Sequence, residues 1–317
     1  MSGLKEEQIK FFKEEGYLIV EDVLPPTDLQ PLIEEFNEAV NLNAREAESR
    51  GWLKEIFEKE PFERRLAKIC DSADDPALGS IQSILFRGLH AKVKTAGMFA
   101  VITHSAILDI VESLIGPEIL AHPQFNVRAK LPNQDRSVVP WHQDLGYLQL
   151  SAENTFMVNF WIPLVNATVE NGCMEVIAGS HRSKILDHVP NLGPAGNFKG
   201  VIDEELPKGK QISCPMRVGD VLLMHHTTIH RSIPNNSDHI RWSLDLRYCD
   251  PSLPTGRDHG HPGFIARSLK HPELVAKSHL NWLRDFIELM LPDMNHTDHS
   301  GCCTHINHRY SPSQKLP

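Results

Sequence analysis

Six short stretches between Ile119 and Asp250 alternate apolar and polar residues with a period of two: 122–130, 156–165, 173–178, 211–216, 220–226 and 241–248. Glycine, proline, asparagine and aspartate separate them. Gly219-Asp220 makes a tight turn into the apolar run Val221-Leu222-Leu223-Met224. Successive side chains of a strand point to opposite faces, so each stretch reads as a strand. Several short strands with turn signals between them predict a sandwich or barrel.

The chain before this region reads as helical. Lys5–Glu15 sets Ile9, Phe11 and Phe12 among charges and stops at Gly16, as at a helix C-cap. Tyr17–Val20 suits a strand, and Asp28–Ser49 spaces Leu29, Leu32, Ile33, Phe36 and Val40 along one helical face. Residues 51–89 mix helical pieces with loops, and Ser105–Ile115 is another amphipathic helix, closed by Gly116-Pro117. Helices first and strands later predict a mostly β fold with a helical buttress: a jelly roll. We read one domain over 1–317. Its parts are a mainly helical 1–118, a jelly-roll core 119–250, and 251–317 as loop, one helix over about 271–290 and a polar tail.

Composition narrows the function classes. The 41 acids outnumber the 32 bases, giving a net charge of −9, which argues against a nucleic-acid partner held by phosphate contacts. No run approaches the 18 uncharged apolar residues of a membrane-spanning helix, so no membrane partner is expected. Met1–Glu7 lacks the apolar core of a signal peptide. Six cysteines in 317 residues are too sparse for a disulfide framework. The terminal Gln314-Lys315-Leu316-Pro317 is not the Ser-Lys-Leu peroxisomal address. A cytoplasmic protein is the expectation, with monomer and homodimer both open.

The residues that carry chemistry start at Trp141-His142-Gln143-Asp144. In a strand, His142 and Asp144 project together and offer an imidazole and a carboxylate to one divalent metal. A third ligand must come from elsewhere. Two histidines and one carboxylate on one face of an octahedron suit a non-haem Fe(II) oxygenase. The alternative for a bare His-x-Asp is a satisfied polar strand edge. His230 lies 88 residues further on. After it, Arg241, Ser243, Asp245 and Arg247 alternate with Trp242, Leu244, Leu246 and Tyr248. A face with two arginines and an aspartate is costly in a dry core. It lines a wet or ligand-filled cavity, where an arginine fork matches a carboxylate, or it faces bulk solvent.

His-x-Asp, a distal histidine and an arginine 11 residues after it form the layout of the 2-oxoglutarate-dependent Fe(II) oxygenases. The finer sequence resembles one branch, the phytanoyl-CoA dioxygenase (PhyH) family. Trp141–Asp144 is similar to its His-Gln-Asp core, and Asn171–His181 to its Asn-Gly-Cys…Gly-Ser-His segment, with Ala178 where proline is usual. Gly219-Asp220-Val221 through His225, His230, Ser232, Pro234-Asn235 and Arg241 resembles its distal block, and Gln8–Tyr17 its opening. The resemblance covers roughly residues 5–250. It implies a double-stranded β-helix of the cupin-like kind.

What the resemblance implies can be stated residue by residue. His142, Asp144 and His230 hold Fe(II), and Arg241 pairs with the distal carboxylate of 2-oxoglutarate. Trp161 lines the cosubstrate pocket, and Asn126 matches a cosubstrate position less closely. The retained Asp144 argues for hydroxylation or another oxidation with O2, since related halogenases replace that carboxylate by a small residue. An upstream basic residue also reaches the cosubstrate, with Arg87, Lys92 and Lys94 as competing candidates. His225 corresponds to a position beside the ligands, and His181 sits in a structural turn.

Substrate candidates are Gln124, Arg128 and Lys130, which share a strand face with Asn126, together with Tyr147 and Arg247. Arg136 is a further possible carboxylate partner, and the loops 145–155 and 251–270 are expected to carry selectivity. A small or mid-sized metabolite is the expected partner. The alternatives are an acyl-CoA hydroxylase resembling the family's namesake, a non-oxygenase jelly-roll metalloprotein and a silent ligand-binding barrel. The tail holds His296, His299, Cys302, Cys303, His305 and His308, whose spacing matches no standard zinc site.

Overall fold

The computed structural model describes residues 3–73, 94–257 and 263–290. Helix α1 (Glu6–Glu15) ends where Gly16 takes a φ of 77°, a left-handed turn that sends the chain straight into β1 (Tyr17–Val20). Helix α2 (Pro26–Ser49) buries Leu29, Leu32, Phe36, Val40 and Ala44, the face its spacing predicts. Helices α3 (Phe62–Ser72), α4 (Ala96–Ile102) and α5 (Ser105–Ile115) complete the buttress.

Residues 96–115 are long and apolar enough by composition to cross a membrane, although Asp109 and Glu112 keep them from being an uncharged run. The stretch is broken at Thr103-His104, where the His104 ring accepts the Ala106 amide at 3.3 Å. Met98, Val101, Ile107 and Val111 then bury in the core.

The strands are β2 (Ile119–Ala121), β3 (Asn126–Lys130), β4 (Val158–Pro163), β5 (Met174–Ile177), β6 (Val189–Leu192), β7 (Phe198–Gly200), β8 (Gln211–Cys214), β9 (Val221–His225), β10 (His230–Ser232), β11 (Arg241–Cys249) and β12 (Phe264–Arg267). A seven-stranded sheet runs β1-β9-β4-β11-β2-β12, with β3 also pairing β11; a three-stranded sheet runs β10-β5-β8; and β6 pairs β7. Every pairing is antiparallel.

All six predicted stretches contain strand, but the details differ. The stretch 122–130 is interrupted because His122 Nδ1 accepts the Gln124 amide at 3.0 Å and turns the chain between β2 and β3. The region expected to be loop at 251–270 contributes β12, which adds to the large sheet beside β2. The expected helix at 271–290 is shorter. A 3-10 turn at Pro272–Leu274 comes first, and α6 spans His279–Met290. The Ala276 amide bonds the Ile265 carbonyl at 2.9 Å, tying the segment before the helix to β12. The part of 51–89 beyond residue 73 and the His/Cys tail lie outside the described residues.

The two faces of β11 separate as its alternation predicts. Trp242, Leu244, Leu246 and Tyr248 join the main core. Trp242 stacks on Phe62 (4.8 Å) and Phe36 (6.1 Å), and the Tyr248 hydroxyl donates to the Ile102 carbonyl at 2.8 Å. The opposite face of β11 turns toward the small sheet. Between the sheets lies a cavity of about 320 Å³, lined by Trp161 and Arg241 from one side and Met174, His230 and Ser232 from the other.

Candidate metal centre

His142 does not sit in a strand, as the sequence reading assumed. It forms an isolated antiparallel bridge with His230, each amide bonding the other's carbonyl at 3.0 Å. Asp144 then opens a 3-10 turn, Asp144–Tyr147. The juxtaposition survives this change. His142 Nε2 lies 3.9 Å from Asp144 Oδ1, and one donor atom from each of His142, Asp144 and His230 falls within 4.8 Å of the others. All three residues are buried.

Main-chain carbonyls fix both imidazoles. His142 Nδ1 donates to the Pro140 carbonyl and His230 Nδ1 to the Thr228 carbonyl, each at 2.9 Å. A carbonyl only accepts, so each ring carries a proton on Nδ1 and turns Nε2 toward the cluster, the orientation of metal-bound histidines. Burial, with His230 beside it, pushes His142 down to about 3, so its ring is neutral. Burial alone would push the Asp144 carboxyl up. Arg247 and the two imidazoles outweigh that and hold it well below the usual aspartate range.

Neutral imidazoles and an ionised carboxylate are the states a divalent metal requires. Two buried polar atoms beside the carboxylate, Asn159 Oδ1 and Arg247 Nε, have no partner among the described residues, which suits a site that receives polar ligands. The donor set therefore fits Fe(II) in a two-histidine, one-carboxylate arrangement.

Arg241 lies in the same cavity, 3% exposed, its guanidinium 4.9 Å from the centre of the Trp161 ring. Its Nε donates to the Gly172 carbonyl at 3.1 Å, and a second nitrogen donates to the Ser243 hydroxyl. Burial, more than the Arg128 charge, lowers it to about 10, and it stays cationic at neutral pH. The predicted pair Arg241 and Trp161 thus meets in one wall.

The other candidates divide. Arg128 and Lys130 line the cavity. Arg247 does too, and one of its nitrogens donates to Asp144 Oδ1 at 2.6 Å. Asn126 and Gln124 are not among the described lining residues. Asn126 donates to Asp245 Oδ2 at 3.3 Å, and Gln124 Oε1 accepts Arg257 at 2.7 and 2.9 Å. Tyr147 sets its ring edge-on to His142 at 5.5 Å and donates its hydroxyl to the Lys199 carbonyl.

Of the three upstream bases, Arg87 and Lys92 lie outside the described residues. Lys94 lies over the rings of Phe125 and Trp282. His225 stacks on His226 at 4.4 Å and bonds Thr227, away from the three-residue cluster. The loops expected to carry selectivity are displaced from the described walls. Residues 145–155 and 251–257 pack on each other through the Gln149 amide and the Gly256 carbonyl (3.1 Å), while Arg136, Val139 and Phe198 line the cavity.

One site residue escaped the sequence reading, Asn159, which donates to Asp144 Oδ2; Asp245, placed on the cavity face by its alternation, accepts Arg128 Nε at 2.8 Å. Asn159 carried a signal, as a polar side chain inside the buried run Val158–Pro163.

Comparison with known proteins extends these observations. The family model for phytanoyl-CoA dioxygenase matches residues 12–243. A probable phytanoyl-CoA dioxygenase of Caenorhabditis elegans is 26% identical over 268 residues, 80% of this chain and 77% of that protein. The peroxisomal phytanoyl-CoA dioxygenase of Homo sapiens is 25% identical, across 76% of this chain and 67% of that protein. Among solved structures, the apo form of the non-heme monooxygenase ThoJ matches with a TM-score of 0.55 at 19% identity, covering 92% of this chain and 98% of that one, and so shares the double-stranded β-helix. The family match takes in the helical buttress, both histidines, the aspartate and Arg241, and by it this chain belongs to the phytanoyl-CoA dioxygenase family.

Proposed function

We propose that the protein is an Fe(II)- and 2-oxoglutarate-dependent dioxygenase that hydroxylates, or otherwise oxidises, a small to mid-sized metabolite. The observation that carries this reading is the pairing of a buried His-Asp-His donor set with a buried arginine in one cavity. When bound, iron and the keto acid supply the coupling of O2 reduction to oxidative decarboxylation, with succinate and CO2 as products and a substrate C–H bond oxidised.

The chain's own part is positioning. His142, Asp144 and His230 hold the metal. Their Nδ1 contacts and the Arg247 and Asn159 bonds keep the three groups aimed inward. Arg241 orients the cosubstrate through its distal carboxylate, backed by Trp161. Apolar walls such as Phe160, Met174 and Met224 limit water around the reacting atoms. No side chain need act as a general base.

The cavity's size supports a small metabolite, because about 320 Å³ lies at the low end of ligand pockets. Its lining has five basic side chains against two carboxylates, and this favours a substrate with an anionic group. The relatives named for phytanoyl-CoA support a second reading, an acyl-CoA whose nucleotide part would stay outside the cavity.

The test is an anaerobic titration with Fe(II) and then 2-oxoglutarate. A weak visible charge-transfer band should appear in the wild type and be lost in His142→Ala. Bound metal without that band would sink the reading. Succinate release with phytanoyl-CoA but not with small carboxylates would favour the acyl-CoA alternative.

A further inference from the structure

Lys130 and Arg241 are direct partners across the antiparallel pairing of β3 and β11, and both line the cavity. They are 2% and 3% exposed. Lys130 directs its ammonium to neutral oxygens, the Ser137 carbonyl at 2.7 Å and the Ser232 hydroxyl at 3.0 Å. Arg241 likewise bonds the Gly172 carbonyl and the Ser243 hydroxyl. Among the described residues no carboxylate forms an ion pair with either. The nearby acids are taken: Asp245 by Arg128 and Asp144 by Arg247.

The space for the lysine is specific. A Cβ at Gly172 would lie 2.6 Å from the Lys130 Cε. A buried guanidinium beside a buried basic amine, with no anion, is unfavourable ground for charge, and an anion from outside stabilises the charged form of both.

We propose that Lys130 and Arg241 jointly seat the distal carboxylate of 2-oxoglutarate, so that Lys130 joins the arginine in recognising the cosubstrate. The inference rests on the 2-oxoglutarate reading above and adds a residue to it. It also has a proton consequence. Among the side chains around it, Lys130 is held down to about 6, chiefly by burial and then by Arg241 and Arg128.

The groups around it are Arg241 and Cys173 on the facing side, Arg128 on its own strand, Arg136 on the 135–137 turn and His230 next to Ser232, with Asp144 and Asp245 already paired. An arriving carboxylate supplies the missing opposite charge and favours the ammonium form. Above about pH 6 the amine lone pair therefore takes a proton from solvent as the cosubstrate binds. Affinity weakens as pH rises above that point, by up to about tenfold per unit.

The test is anaerobic calorimetry of the metal-loaded protein with 2-oxoglutarate near pH 7.5, in two buffers of different ionisation enthalpy. The wild type should take up close to one proton per cosubstrate. Lys130→Met should take up close to none and bind roughly 10- to 100-fold more weakly, the loss of one charge-assisted hydrogen bond, with metal content unchanged. Affinity within about twofold of wild type, or equal proton uptake in both proteins, overturns the inference. So does zero uptake by the wild type, a result that needs no variant. Absence of any 2-oxoglutarate binding to the metal-loaded wild type overturns the oxygenase reading itself.

Discussion

Four basic side chains share the inner face of β3 and β11, and they are of two kinds. Arg128 and Arg247 are answered within the chain, by Asp245 at 2.8 Å and Asp144 at 2.6 Å. Lys130 and Arg241 are answered only by carbonyl and hydroxyl oxygens. A buried charge that finds its counter-ion in the same chain holds the scaffold in place. One that does not is a receptor, because its compensation must arrive with a ligand. The contrast assigns Arg247 to the metal's carboxylate and leaves Arg241 for the cosubstrate, although both alternate on one strand.

Asp144 is where this contrast has its largest expected effect. His142→Ala and Asp144→Ala should both lose metal and turnover. They should differ in stability. Asp144→Ala also strands the buried Arg247, which costs roughly 3–5 kcal/mol when one partner of a buried pair is removed. His142→Ala strands no charge. Urea unfolding of the two metal-free variants should show Asp144→Ala unfolding at clearly lower denaturant. Equal midpoints would mean that Arg247 is not held by Asp144 in solution.

Arg241 gives the opposite outcome. Removing an unanswered cation leaves no orphaned carboxylate, so Arg241→Met should leave thermal stability unchanged or higher. It should also raise the 2-oxoglutarate requirement by roughly 100-fold, as for a lost charged pair. Metal content should hold. A variant that loses stability and keeps its cosubstrate dependence would reverse the roles assigned to Arg241 and Arg247.

The sequence made one half of this contrast legible. His142, Asp144, His230, Trp161 and Arg241 lie in short local motifs, and the resemblance of those motifs to the family's placed them in one site. His142 and Asp144 come together by a bridge and a 3-10 turn, not by strand alternation, so that reading reached the right juxtaposition by a wrong geometry. The alternation of β11 announced its two faces. It did not say which arginine would find an acid, because Asp144 and Asp245 reach their partners from 103 and 117 residues away in the chain. Long-range pairing of this kind has no periodic signature. Gln124 was chosen by strand parity and Asn126 by a looser family match, and tertiary contacts with Arg257 and Asp245 hold them elsewhere.

Acid separates the two kinds of buried group further. Asp144 is depressed, so its contribution to stability persists down through the ordinary aspartate range. The neutral imidazoles respond sooner. Burial is the main cause that lowers His142 and His225 to about 3, and His122 and His226 to about 4. Each folded value lies below the unfolded 6.5, so the stabilisation is complete above 6.5 and is lost as pH falls toward 3–4. The slope is up to about 1.4 kcal/mol per pH unit for each ring. Metal-free protein should therefore lose stability between pH 6.5 and 5, and bound metal should blunt the part due to His142. A flat urea midpoint across that interval would show that these rings are not buried neutral.

The smallest expected effect separates charge from scaffold at the outer pair. In the Arg128–Asp245 pair the side chains are 36% and 21% exposed, unlike Arg247–Asp144 at 4% and 11%. Water can replace the lost partner, so Asp245→Asn should cost no more than about 1 kcal/mol. Asparagine keeps an oxygen to accept from Arg128 and removes one negative charge from the cavity. The anion seat then becomes more positive, and 2-oxoglutarate should bind about two- to threefold more tightly, an effect that shrinks as salt is raised. Weaker cosubstrate binding in Asp245→Asn would mean that this pair shapes the seat directly. The division between answered and unanswered cations would then hold only for the inner pair, Arg247 against Arg241.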